Sequence, residues 1–351
     1  QVVAAANNVA VGYQSALNLT TGTDSVYVGY NAGGAGVITG NNNVCVGKSA
    51  GEDLIAGYSN TLIGFAAGLN VTSGNQNVAV GTNAMGLGIS TGASNVVIGN
   101  EAGYDLTSGA SNVLIGRDAG ANLTANNRNI AIGHGAFDAA NADGGVSEHD
   151  NIAIGDNALG AETSGADGCI AIGTSALANQ NRDASKNTAV GYNSLTNLGN
   201  SVTYGGKSNT AIGYEAGGSG VFGGGSDGGS NVYGSDNTLV GNAAGKVITT
   251  GQDNVIIGSL AGDAVTTGYS NVLIGKDAGT TLVDNHDCIA IGHGALDGCN
   301  GGEHFNIAIG TNALSADIAG SDSCIAIGHN ALLAQNSSAI NTVIGSLAGV
   351  A

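Results

Sequence analysis

Apolar residues come in short, evenly spaced groups along this chain. Nineteen times a small polar residue is followed by three apolar or branched residues and then glycine, usually with alanine three places further on; Asn129-Ile130-Ala131-Ile132-Gly133 and Asn254-Val255-Ile256-Ile257-Gly258 are two copies. The closing glycines stand at 12, 29, 47, 64, 81, 99, 116, 133, 155, 173, 191, 213, 241, 258, 275, 292, 310, 328 and 345, so most steps are 17 or 18 residues. A unit this short cannot bury an apolar face alone and must stack on its neighbours, which makes the chain a solenoid. Within each phrase the first and third apolar places carry Val, Ile or Thr, and branched residues two apart read as one face of a short strand. Glycine directly after every strand predicts a corner with positive φ or a close backbone approach. Leu106-Thr107-Ser108-Gly109 and Val265-Thr266-Thr267-Gly268 predict a second strand and a second glycine corner in each coil. The expected fold is therefore all-β, a parallel β-solenoid of about 19 coils of 17–18 residues, which at strand spacing makes a rod of about 90 Å. It reads as one solenoid over 1–351, regular over 7–133 and 237–351 and loop-bearing over 134–236.

The middle apolar place is never charged and never Ser, Thr, Asn or Asp. Alternation along a strand assigns it to the face away from the coil interior, where a lone solenoid in water would show polar residues. The row thus predicts a dry surface shared between copies of the chain. Its interface residues would be Ala10, Leu62, Val97, Leu114, Ala131, Ala153, Leu239, Ile256, Leu273 and Ala308. The polar place ahead of the strand holds Asn in fifteen copies, Cys in three (Cys169, Cys288, Cys324) and Ser at Ser25. Stacked amides of this kind predict a hydrogen-bonded asparagine ladder that holds the register of the coils.

Composition narrows the function classes. With 63 glycines, no proline and no tryptophan in 351 residues, neither an ordinary enzyme nor collagen fits, and a hydrophobic fraction of 42% argues against wholesale disorder. The net charge of −18, from 26 acids against 8 Lys and Arg, suits solubility and repels phosphate backbones, so nucleic acid is not an expected partner. Acidic corners could hold a divalent cation weakly; no other cofactor is expected. No apolar run is long enough to insert in a membrane, and Gln1 opens no export segment. The pattern is already running at Asn8 and still running at Gly345, so any anchor or signal is expected outside this chain. Five cysteines, three in the ladder place, Cys45 in the middle row and Cys299 in a corner, lack any CxxC spacing and read as free thiols suited to a reducing compartment.

Departures from the period mark candidate binding loops. The steps 133 to 155 and 191 to 213 are 22 residues, and 213 to 241 is 28; extra residues must leave the coil as loops on a rigid scaffold. Receptor-contact candidates are Glu148 and His149 in the first insertion, Tyr204 in the second, and Phe222, Asp227 and Tyr233 in the longest. His134, His293 and His329 follow corner glycines and read as exposed corner residues; only three copies brought together at an axis would hold a metal, and no metal site is assigned. No catalytic residue is assigned either, because the strand phrases contain no acid or base and glycoside cleavage needs two spaced carboxylates. A polysaccharide-active β-helix enzyme and an ice-binding solenoid are thereby disfavoured, the latter because the threonine array is broken.

The phrase Asn-Ile-Ala-Ile-Gly-x-x-Ala, at 151 to 158 and 306 to 313, resembles the repeat of the YadA-type head of trimeric autotransporter adhesins, and similar repeats recur in phage and other viral tail fibres. The resemblance covers nearly the whole chain, although heads of the adhesin type generally use shorter coils. It implies a left-handed β-roll in which three chains pack about a common axis. The implied function is a structural or adhesive homotrimeric fibre: a virion tail-fibre shaft or receptor-binding segment that displays loops to a host cell-surface glycan or protein, with a bacterial surface adhesin head as the alternative. A second order of repetition lies above the coils, since the segment from Ser111 to Gly191 is echoed from Ser270 to Gly345.

Overall fold

The computed structural model describes residues 5–34, 36–139, 148–161, 165–180, 185–198, 206–219, 234–298, 302–316, 322–333 and 340–349. The chain divides into two compact units, Gln1–Gly168 and Cys169–Ala351. The first contains nine three-residue strands, from β1 (Val9–Val11) to β9 (Ile152–Ile154), and the second ten, from β10 (Ile170–Ile172) to β19 (Thr342–Ile344). Within each unit every strand pairs in parallel with the next, first place to first place, middle to middle. The fold is an all-β parallel solenoid, and no helix occurs among the described residues.

Strict register turns each sequence position into a column. The closing glycines form one of them. Gly64 and Gly81 both have φ +138°, and a Cβ on either would lie 2.4 or 2.3 Å from the carbonyl oxygen of the next closing glycine. Only glycine lets the coils approach to strand spacing here. The expected asparagine ladder forms a second column. The Asn77 side-chain oxygen accepts from the backbone N–H and the side-chain amide of Asn95, both at 3.0 Å, while its own amide donates to Asn60 Oδ1 at 3.2 Å and to the Gly92 carbonyl at 2.9 Å. The second unit repeats this arrangement at Asn237, Asn254 and Asn271. Each amide is wholly buried yet fully used, once within its own coil and once towards each neighbour. Where cysteine replaces asparagine, Cys288 still donates its N–H to Asn271 Oδ1 at 3.0 Å, and its thiol points to the Glu303 carbonyl.

The middle row is not an outer surface. Leu62, Val97, Leu114, Ala131, Ala153, Leu239, Ile256, Leu273 and Ala308 are all 0% exposed within a single chain; Ala10, in β1, is exposed. They face the interior of their own coils, packed with the alanine after the corner and with second-side residues such as Leu54, Leu106 and Ile248. The expectation that they form an interface between chains is therefore corrected: the row is dry because it is the coil's own core. Asparagine before the strand and the middle residue, two places apart, share the inward face, and the branched first and third places point out.

A volume rule ties the core together. Where the middle residue is large, as in Tyr27, Leu62, Leu114 or Leu239, the residue six places on is glycine: Gly33, Gly68, Gly120 or Gly245. A Cβ at Gly68 would meet Leu62 Cδ2 at 2.7 Å. Where the middle residue is alanine, as at Ala79, Ala131, Ala153 or Ala308, that place holds Met85, Phe137, Leu159 or Leu314, all buried. Most coils thus receive one large side chain from one of two sites, which preserves packing density at constant coil size; the coils of Ala10 with Ala16 and of Ala211 with Gly217 depart from the rule.

The anticipated second strand is not formed among the described residues. That side shows only isolated parallel bridges, Leu19 to Ile38, Val71 to Ser90 and Asn127 to His149. Its corner spacing is too tight: the Leu106 N–H turns back to the Gly103 carbonyl at 3.1 Å instead of joining a ladder, and Gly109 begins the next corner.

Candidate functional site

With the middle row inside, the outward face of each sheet is built from the first and third places. Across the nineteen strands these thirty-eight positions are Val or Ile in all but five, and those five are Thr61, Thr188, Thr210, Thr238 and Thr342. Stacked neighbours cover their flanks, so most are half-buried, but their outer surfaces are open: Ile63 is 37% exposed, Ile98 38% and Ile291 37%. Each unit therefore carries a continuous strip of β-branched side chains two residues wide. Branched side chains are stiff at χ1, so the strip loses little conformational entropy when it is covered. A contiguous apolar patch of this extent makes the strip a candidate interaction surface.

The edge of the strip is formed by the residue after each closing glycine. In the first unit Tyr13 and Tyr30 stack with centroids 5.4 Å apart, and Lys48 Nζ lies 5.9 Å from the Tyr30 ring and 5.5 Å from the Phe65 ring. Further along, Arg117 contacts His134, whose Nδ1 lies 2.8 Å from Asp156. In the second unit Tyr192 stacks on Tyr214 at 5.5 Å and Lys246 pairs with Glu215 at 2.7 Å. The charges beside the strip are largely paired, so they can approach a neighbouring surface without leaving an isolated ion. No family model and no curated protein matches the chain.

Of the receptor-contact candidates, Glu148 is overturned. It is 0% exposed and lies inside the coil, accepting from the Asn126 amide and, at 3.3 Å, from the Gly165 N–H. Burial pushes its carboxyl above the usual range. His149 is half-buried in a corner, its Nδ1 accepting the Asn127 N–H at 3.1 Å and its own N–H donating to Asp167 at 2.8 Å. Tyr204, Phe222, Asp227 and Tyr233 lie outside the described residues. His134 and His293 are exposed at their corners. Among the described residues no group of three His, Cys, Asp or Glu is placed to hold a metal ion.

Sequence reasoning missed two features. The outward strip was assigned inside because branched residues were given to the core; the exchange of volume between the middle place and the place six residues on was the signal that would have reversed this. The second is an aromatic corner in the second unit, where Tyr269, His286 and His304 stack and Phe305 joins them edgewise. Aromatic residues at matching places in successive coils were the signal for it.

Proposed function

We propose that the chain is a segment of a homotrimeric fibre, the shaft or receptor-binding part of a virion tail fibre that presents its corners and loops to a host surface. The outward strip of Val and Ile carries this reading. Another copy of the same chain has the same coil spacing and so can match the strip rung for rung, whereas an unrelated partner would match only a few coils. The surface outside the strip carries the net charge of −18, which keeps fibres apart and leaves the uncharged strip as the face that associates. The number three follows from the likeness of the repeat to YadA-type heads. Multivalent display then raises avidity, since three copies of each corner sit at one level.

The bacterial adhesin alternative differs in the compartment through which the chain passes. Cys45, Cys169, Cys288 and Cys324 are buried and form no disulfide among the described residues, and burial pushes the thiols of Cys45 and Cys288 up to about 12 and about 11. Buried thiols outside any disulfide suit assembly in a reducing compartment, which favours the virion reading. An ice-binding role gains little support, because threonine hydroxyls on the second side are turned to the next coil: Thr107 donates to the Thr124 carbonyl at 3.0 Å and Thr249 to that of Thr266 at 2.9 Å.

Sedimentation velocity combined with light scattering tests the fibre. The expected result is three times the 33.8 kDa chain mass with an elongated shape. Ile98→Asp together with Ile291→Asp should give a folded chain of single mass. A wild-type chain that is monomeric at tens of micromolar would overturn the proposal.

A further inference from the structure

We propose that the aromatic corner of the second unit binds a neutral pyranose of a surface glycan, with the outer face of Phe305 as the stacking platform. This deepens the adhesive part of the fibre reading and rests on it for its biological setting, although the site itself lies within one chain.

The residue just before the ladder position holds a left-handed backbone, with φ between +56° and +63° in most described coils. Elsewhere with that conformation it is Asn, Asp, Ser, Gln, Lys, Arg or Gly, residues that are small, polar or without a Cβ. Phe305 alone is aromatic, at φ +60° and 53% exposed. A bulky apolar side chain that is both conformationally costly and left in water is not explained by folding, and such departures cluster at functional positions.

Its surroundings define a platform. His286 has Tyr269 on one side, centroids 4.6 Å apart and 11° from parallel, and His304 on the other at 3.6 Å and 14°. Both imidazole faces are thus covered, so Phe305, 5.3 Å away and at 86°, meets the His286 edge. Phe305 also meets His304 edgewise, at 6.4 Å and 77°, and at 53% exposure part of its ring stays open to solvent beside the stack, where it can receive the C–H face of a sugar ring. Hydroxyl partners are close by: Asp287, its side chain 43% exposed, lies beside His286, and Asp322 accepts the His304 N–H at 2.7 Å. Carboxylates in this position favour a neutral sugar over a sialylated or phosphorylated one.

The duplicated block provides an internal comparison. Tyr269, His286, His304 and Phe305 correspond to Ala110, Asn127, His149 and Asp150. There Asp150 forms a two-point ion pair with Arg128, at 2.6 and 2.8 Å, and no ring cluster exists among the described residues. A contact between identical solenoids recurs along the whole stack, whereas this corner is formed at one place, by three successive coils, which separates it from self-association.

Saturation-transfer NMR on the full chain, with methyl α-mannopyranoside, methyl β-galactopyranoside and methyl β-glucopyranoside as probes, tests the site. At least one should receive saturation on its ring protons, and Phe305→Ser should weaken that probe at least tenfold, with Phe305→Tyr within threefold of wild type. Because serine is native to this place in other coils, Phe305→Ser should melt at or above the wild-type temperature with unchanged solution mass. No transfer to any probe, binding retained in Phe305→Ser, saturation of tetramethylammonium in place of the sugars, or a fall in mass or melting temperature in Phe305→Ser would each overturn the site. A monomeric wild type that still binds sugar would overturn the fibre and leave the site intact.

Discussion

At the scale of single residues, stability rests on positions where the side chain has one permitted form. Gly81 is such a case, because φ +138° and the 2.3 Å approach of the Gly99 carbonyl exclude a Cβ. Gly81→Ala should cost about 3 kcal/mol or more, read as a fall in the urea midpoint; a loss under about 1 kcal/mol would show that the corner relaxes. Asn77 acts through four hydrogen bonds, and Asn77→Ala leaves buried partners on both neighbouring coils, so a loss of about 3 kcal/mol is expected. Asn77→Cys, the exchange the chain itself makes at three ladder places, should cost less in the same titration. Glu148 works in the other direction. Burial holds its carboxyl above the ordinary 4.5, as it does those of Asp138 and Asp263. A group that binds its proton more tightly when folded stabilises below its unfolded value, and this contribution is lost as pH rises through the folded one. The melting temperature should therefore climb as pH is lowered from about 7 towards about 5. Glu148→Gln should melt higher than wild type at neutral pH and show a shallower climb; a lower melting temperature would mean that the ionised carboxylate is required.

At the scale of the coil, the two large-residue sites behave as one. Ala131→Leu should overpack against Phe137 and cost about 1–3 kcal/mol, and adding Phe137→Gly should recover most of the loss by converting the coil to the type built around Leu114 and Gly120. A double-mutant cycle measures the coupling; additive effects would refute the volume rule. Much of the coil was legible in the sequence. The period, the strands, the glycine corner and the amide ladder all repeat, and repetition makes a weak local signal strong. The direction of the strand faces was misread, because Val and Ile at the first and third places look like core when they are considered apart from their neighbours. The middle row was assigned to a dry surface between chains, yet Ala131 lies inside its own coil and is small because Phe137 fills the space. The aromatic corner was hidden for a different reason: Tyr269, His286 and His304 are far apart in the chain and meet only when the register of three coils is known.

At the scale of the whole molecule, the candidate surface was foreseen in kind and misplaced by one residue in each strand. A sheet period of two means that such a slip exchanges inside for outside. Ile98 and Ile291 now stand on the outer face where middle-row residues such as Val97 were expected, which is why a charge at either should separate chains without unfolding them. Circular dichroism should be unchanged while the sedimentation coefficient falls; unfolding would instead place these residues in the core. The amide rungs have a further consequence for how the array is made. Asn60 to Asn77 and Asn77 to Asn95 join residues 17 and 18 apart, so ring closure has nearly the same entropic cost at each regular step, however long the chain, and only slightly more across the 22- and 28-residue steps. Growth can then follow synthesis, each new turn settling on a finished template as it leaves the ribosome, and an interruption halfway would leave a shorter stack with an intact edge instead of a tangle.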